Sequence, residues 1–325
     1  MWNSANYPTW VPMKIIKPPA LPRGATIGII SPSSPQRDEE RLKRGVRYLE
    51  SLGYQVKIGH HVYDRHGGYL AGTDEQRAED LHSMFRDPDV SAIFCARGGY
   101  GCARILPLVD FGLIRRHPKI FVGFSDVTVL QLALLKRTGL VTFSGAMPSV
   151  DMADGFEPIA EEQFWRVLTE RRRPGALRQP LALNIIRRGR TEGRLLGGNL
   201  SVLVSLLGTG YLPELGGSIL ALEDVGEATY RIDRMLLQLS MATARRPAAG
   251  VIYGSWSQAE SSSGSTPHRD VEEVLQERLD IAAGPILSNL LYGHQAQKFT
   301  LPIGVMARLE TARGGSLTLL EGGVQ

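Results

Sequence analysis

A hydroxyl nucleophile needs a base to take its proton and an acid to hold that base. Three residues of this 325-residue chain supply those types in order: Ser125, Glu223 and His294. Ser125 sits within Ile120-Phe121-Val122-Gly123-Phe124-Ser125-Asp126-Val127, and an apolar helical run over 127–135 follows directly. A short buried strand that passes straight into a helix forces a sharp turn, and Ser125 falls on it. A hydroxyl there stands at the carboxyl edge of a parallel sheet, beside helix N–H groups that favour negative charge. The Asp126 N–H is then available to a developing oxyanion. Taken alone, Ser125 also reads as a helix cap. The G-x-S-x-G elbow is half present, because Gly123 precedes the serine but Val127 stands where the second glycine would be.

Three other stretches depart from ordinary packing. Leu222-Glu223-Asp224-Val225-Gly226-Glu227 places three carboxylates where a predicted strand over 218–222 runs out, at the sheet edge where α/β sites gather. Asp224 and Glu227 also read as helix caps. Tyr292-Gly293-His294-Gln295 follows a predicted strand over 286–290. Of the seven histidines, only His294 sits at the end of a predicted core strand next to a glycine; His82 falls on a helix and the others in loops and turns. Arg97-Gly98-Gly99-Tyr100-Gly101 ends a strand over 91–95, and its paired glycines let backbone N–H groups approach an anion. Neither phosphate-loop fingerprint is present, which leaves an oxyanion or carboxylate pocket beside the plain alternative of a tight turn.

These positions require elements to hold them. Strands over 25–30, 54–58, 91–95, 120–123 and 141–144 alternate with helical patterns, including the capping-box spelling Thr73-Asp74-Glu75-Gln76. The alternation predicts a parallel sheet covered on both faces. A second unit opens at Gly193-Arg194-Leu195-Leu196-Gly197-Gly198-Asn199, with Asn199 capping a helix to about 207. Strands over 218–222, 251–253 and 286–290 follow, with closing antiparallel strands over 301–305 and 316–320. The expected class is α/β: an irregular proline-rich arm (1–23), an N-terminal parallel-sheet domain (24–172), a linker (173–191) and a C-terminal α/β domain with a mixed sheet (192–325). The serine lies in one half and its partners in the other, so the site belongs in the cleft between the domains.

Composition narrows the partners. A net charge of +4, 43% hydrophobic residues and 22% charged residues describe an ordinary globular protein. The arginine clusters at 171–173 and 187–190 fall at the start of and within the expected linker without interleaved aromatics, which argues against nucleic acid. Cys95 and Cys102 fit no redox or zinc spacing and read as buried free thiols in a reducing compartment. Pro8 and Pro12 interrupt the stretch where a signal peptide would need an apolar core, and no stretch approaches a membrane span. The reading is cytoplasmic, with no membrane partner. No acidic, histidine or cysteine grouping has metal-ligand spacing, so neither metal nor cofactor is expected. The serine-rich stretch over 261–265 reads as a mobile loop.

Taken together, the stretches at 97–101, 123–126, 193–199, 222–224, 230–234 and 293–304 resemble the LD-carboxypeptidase family, which also contains the microcin-immunity peptidases. The resemblance runs from about residue 24 to 312. It implies a serine peptidase with Ser125 as nucleophile, Glu223 as acid and His294 as base. The Gly98-Gly99 turn and the Asp126 N–H would form the oxyanion segment. It also implies two domains and, commonly, a homodimer. Murein-recycling members cut a cytoplasmic muropeptide between meso-diaminopimelate and the terminal D-Ala, whereas immunity members cleave an aminoacyl-nucleotide antibiotic. The stretch over 223–241 is more similar to the recycling branch. A non-catalytic muropeptide sensor is a third reading. A carboxypeptidase must hold a free terminal carboxylate, for which Arg194 and Arg231 are the candidate cations, each with a structural ion pair as its alternative.

Overall fold

The structure is a computed structural model that describes residues 14–257 and 269–325. The start of the expected arm and the serine-rich loop over 261–265 lie outside the described residues. The strands are β1 (Thr26–Ile30), β2 (Gln55–Ile58), β3 (Val90–Cys95), β4 (Ile120–Gly123), β5 (Thr142–Ser144), β6 (Gly175–Ala176) and β7 (Asn184–Arg187). They continue with β8 (Arg190–Asn199), β9 (Ile219–Val225), β10 (Gly250–Ser257), β11 (Ile286–Ser288), β12 (Leu301–Ile303), β13 (Met306–Glu310) and β14 (Ser316–Leu319). They form two sheets, one mainly parallel and one mixed.

The first sheet runs β12-β5-β4-β3-β1-β2, and β1 to β5 are parallel. Every residue of β4 is buried, and β3 is nearly so, as expected for strands covered by helices on both faces. The sixth strand is a correction: β12, expected among the closing strands of the second domain, pairs antiparallel with β5. It covers an otherwise open edge with the apolar Leu301 and Ile303.

The second sheet runs β6-β14-β13-β8-β9-β10-β11-β7, with a parallel centre from β8 to β11 and antiparallel flanks. The expected linker is a second correction, because it supplies β6 and β7, the two outermost strands of this sheet. Short edge strands tolerate the prolines and charges that made this stretch read as a connector. The described part of the arm is also tied down: Leu21 N–H donates to the Leu168 carbonyl, and Ala20 and Pro18 bond the backbone of Gln325.

One helix joins the halves. In α1 (Thr128–Thr138) every residue from Thr128 to Leu135 is buried, and a helix apolar on all sides belongs inside. Among its buried polar residues, Gln131 donates from Nε2 to the Gly123 and Phe143 carbonyls at 3.1 and 2.7 Å. That holds the helix to the ends of β4 and β5. At its start, Thr128 Oγ1 accepts from the Asn199 N–H at 3.2 Å, docking the end of β8 against the same turn. Asn199 also caps the next short helix, Leu200–Ser205, as its sequence predicts. Both arms of the Thr73–Gln76 capping box are present.

Candidate active site

Ser125 occupies the turn between β4 and α1 in a left-handed conformation, φ 63°. A serine there costs of order 1 kcal/mol or more relative to a relaxed backbone, and such strain gathers at functional turns. The hydroxyl caps nothing: neither the 3-10 turn Ser125–Val127 nor α1 has a side-chain cap. Instead Ser125 Oγ lies 3.1 Å from Nε2 of His294, and His294 Nδ1 lies 2.7 Å from Oε2 of Glu223. An ionised carboxylate only accepts, so Nδ1 carries the ring proton and Nε2 is left to accept from the hydroxyl.

Glu223 was expected just beyond a strand, yet β9 continues through Val225 and Glu223 lies within it, fully buried. Burial pushes its carboxyl above the usual carboxylate range, opposed by the hydrogen bond with His294. Its Oε1 has no hydrogen-bond partner among the described residues. Asp224 does not cap the following helix. It accepts from Asn199 Nδ2 at 2.9 Å and Ser201 N–H at 2.8 Å, fixing the turn after β8. Glu227 pairs with Arg231 instead.

His294 comes well after the last residue of β11, on the loop that leads into β12. Its ring lies 5.0 Å, centroid to centroid, from Phe124. The loop is pinned by backbone bonds from Ser255 N–H to the Tyr292 carbonyl and from Phe299 N–H to the Leu291 carbonyl. A buried ion pair, Lys298 Nζ to Asp151 Oδ1 at 2.6 Å, adds a link to the first half.

Gly98 packs directly on the serine. A Cβ there would lie 2.8 Å from Ser125 Cβ and 3.2 Å from its Oγ, so only glycine fits. Gly98 and Gly99 line the same cavity as Ser125 and His294. The Asp126 side chain points elsewhere, accepting from Ser33 Oγ at 2.6 Å and Cys102 N–H at 2.9 Å, and burial raises its pKa. Its N–H stands at the start of the 3-10 turn, where backbone donors have no intrahelical partner.

The cavity encloses about 680 Å³ between the two halves. Its cations are not those the sequence singled out. Arg194 lies on β8 with its guanidinium on the Gly304 carbonyl, and Arg231 is an exposed residue paired with Glu227 and packed on Tyr230. Neither lines the cavity; Arg231 takes the ion-pair alternative, whereas Arg194 bonds a backbone carbonyl. Arg37, Arg41, Arg97 and Lys298 line it instead. Of these, sequence reasoning touched only Arg97, as the lead into the glycine pair. The others converge from distant stretches that no local spacing connects.

Residues 27–145 match the LD-carboxypeptidase N-terminal domain and residues 192–309 the LD-carboxypeptidase C-terminal domain. A probable murein peptide carboxypeptidase of Bacillus subtilis is 40% identical over 310 residues, covering 95% of each chain. The crystal structure of muramoyltetrapeptide carboxypeptidase from Oxalobacter formigenes superposes with a TM-score of 0.80 at 32% identity, covering 90% of this chain and 98% of that one. A structure of MccF in complex with glutamyl sulfamoyl guanosine superposes with a TM-score of 0.86 at 25% identity, covering 95% and 99%. The chain belongs to the LD-carboxypeptidase family. It is an enzyme, a serine-type LD-carboxypeptidase.

Proposed function

We propose that the enzyme releases the terminal D-Ala of a murein tetrapeptide by acyl-enzyme chemistry on a Ser125–His294–Glu223 triad. The observation that carries this reading is the continuous hydrogen-bond relay from Ser125 Oγ through His294 to the buried Glu223, opening into the cavity between the halves. Ser125 Oγ attacks the carbonyl of meso-diaminopimelate while His294 Nε2 takes its proton. The N–H groups of Gly98, Gly99 and Asp126 receive the negative charge that builds on the carbonyl oxygen. Collapse breaks the C–N bond, and His294 returns the proton to the amine of D-Ala. Water, activated by the same histidine, then hydrolyses the ester. Glu223 holds the imidazole tautomer and offsets its positive charge throughout.

The reading includes a cytoplasmic enzyme of cell-wall recycling, which two buried free cysteines support, and a homodimer, which the family resemblance supports. Among the described residues no helix is long and apolar enough to cross a membrane. The likeness to MccF favours a second substrate class, an aminoacyl or peptidyl nucleotide. Purified protein incubated with L-Ala-γ-D-Glu-meso-diaminopimelyl-D-Ala should release D-Ala, and Ser125→Ala protein should not. Hydrolysis of an aminoacyl-nucleotide analogue without D-Ala release would move the assignment to the second class. Binding without hydrolysis of either would make the protein a sensor.

A further inference from the structure

Among the described residues, two guanidinium groups on the cavity wall have no acidic partner. Arg97 leaves the carboxyl end of β3 half-buried, and its Nη1 donates to the Pro35 carbonyl at 3.1 Å. Among the described residues no carboxylate lies within 4.0 Å of Arg97 or of its neighbour in the wall, Arg37. The remaining cations there are answered, Arg41 by Asp154 and Lys298 by Asp151. Burial, and after it the nearby Arg37 and Arg41, lowers the pKa of Arg97 from its ordinary value. A partly desolvated charge surrounded by like charges is unfavourable until an anion joins it.

Its place in the fold says which anion. Arg97 is adjacent in sequence to Gly98, which touches Ser125, so its Cα lies about 3.8 Å from that of the contact residue. Arg97 and Ser125 line one cavity, so a group held by Arg97 lies in the space that the scissile bond must enter. In a peptide cut at its C-terminal bond, the carboxylate nearest that bond is that of the leaving residue. A smaller hollow of about 260 Å³ shares Arg37, Arg41, Arg97 and Val150 with the main cavity, room for one small residue. The planar fork of an arginine matches a carboxylate in two parallel hydrogen bonds.

We propose that Arg97, assisted by Arg37, forms the subsite that binds the C-terminal carboxylate of the peptide substrate on the leaving-group side of Ser125. The proposal rests on the peptidase reading above and deepens it. Binding is measured by calorimetry on Ser125→Ala protein, with the tetrapeptide as free acid, as C-terminal amide, and as a free acid with lysine in place of diaminopimelate. The free acid should bind more tightly than the amide. Adding Arg97→Gln should weaken the acid about 10–100-fold while leaving the amide unchanged, with Arg37→Gln acting in the same direction. Arg231→Gln, outside the cavity, should change neither. Arg97→Lys keeps the charge without the fork and should give an intermediate loss; it carries the test should the glutamine variant fail to fold. Equal weakening of acid and amide, or none, would overturn the subsite. So would an effect of Arg97→Gln that disappears with the lysine peptide, because the side-chain carboxylate would then be the bound group. Turnover by the unmodified enzyme tests the peptidase reading separately, so a protein that binds acid over amide through Arg97 yet releases no D-Ala keeps the subsite and loses the reaction.

Discussion

Ser125 and His294 reach the same point by opposite routes. Ser125 is placed by its own neighbours: β4 delivers it, a single 3-10 turn leads it into α1, and Gln131 and Thr128 lock that helix to both sheets. The turn is strained, and its position is dictated within a dozen residues of sequence. His294 stands on a loop beyond β11, held from outside by the backbone of β10, the Phe124 ring and the Lys298–Asp151 pair. One arm of the site is fixed by local geometry and the other by long-range contacts. Damage to the first should therefore remove chemistry while sparing the fold, and damage to the second should act through positioning.

The largest effect belongs to the locally placed arm. Ser125→Ala should lower kcat roughly 10⁴–10⁶-fold, with a melting temperature near that of the parent. Ser125→Gly should be equally inactive but melt higher, because glycine adopts φ 63° without the strain. Near-normal turnover by either variant would remove Ser125 from the mechanism. Glu223→Gln comes next, with an expected loss of about 10⁴-fold as the imidazole tautomer is no longer held. Its stability should move the other way. Burial raises the folded-state pKa of Glu223, so the ionised form is disfavoured by folding. The glutamine variant should be the more stable above that raised pKa, and its advantage should vanish as pH falls through it toward the unfolded value. Melting curves from pH 4 to 8 check the sign; an advantage that grows on acidification would contradict it. A third, smaller effect is steric: Gly98→Ala pushes a methyl group against Ser125 and should cost about 10² in kcat.

The same division explains what the sequence made legible. Ser125 and its turn could be read because strand, turn and helix are contiguous and each has a local pattern. Glu223 was recognisable as an acid at the carboxyl edge, but not as a residue inside β9, since two successive acidic positions, Glu223 and Asp224, look like an exit from a strand. They stay in the sheet because His294, Asn199 and Ser201 meet them from other elements. β6 and β7 hid in a proline- and arginine-rich stretch that edge positions tolerate, and β12 hid because nothing local says which sheet a three-residue strand will join. The cavity cations were the least legible. Arg194 and Arg231 lay near strand ends in sequence, whereas Arg37 and Arg97 meet only once β1 and β3 are neighbours.

The sharpest probe of the second arm is Lys298. Its ammonium and the Asp151 carboxylate are 4% and 5% exposed, and Nζ lies 5.0 Å from the centre of the Phe124 ring that packs on His294. Asp151 also accepts from the Met147 N–H at 2.8 Å, so the acid is anchored and the lysine is the tether. Lys298→Met leaves a buried carboxylate unpaired, which costs about 3–5 kcal/mol of stability. Asp151→Asn added to it removes the orphan charge and should restore most of the melting temperature. The rate should not follow. With no ion pair across the halves, the His294 loop samples more positions, and kcat should remain about tenfold low, less than the loss from a full 1 Å misplacement. The hydrogen bond between Nδ1 and Glu223 should survive in both variants, so the pH profile of the remaining activity should keep its shape. A double variant that regains stability and full turnover together would reduce Lys298 to packing. One that regains stability alone would make it the residue that positions the histidine.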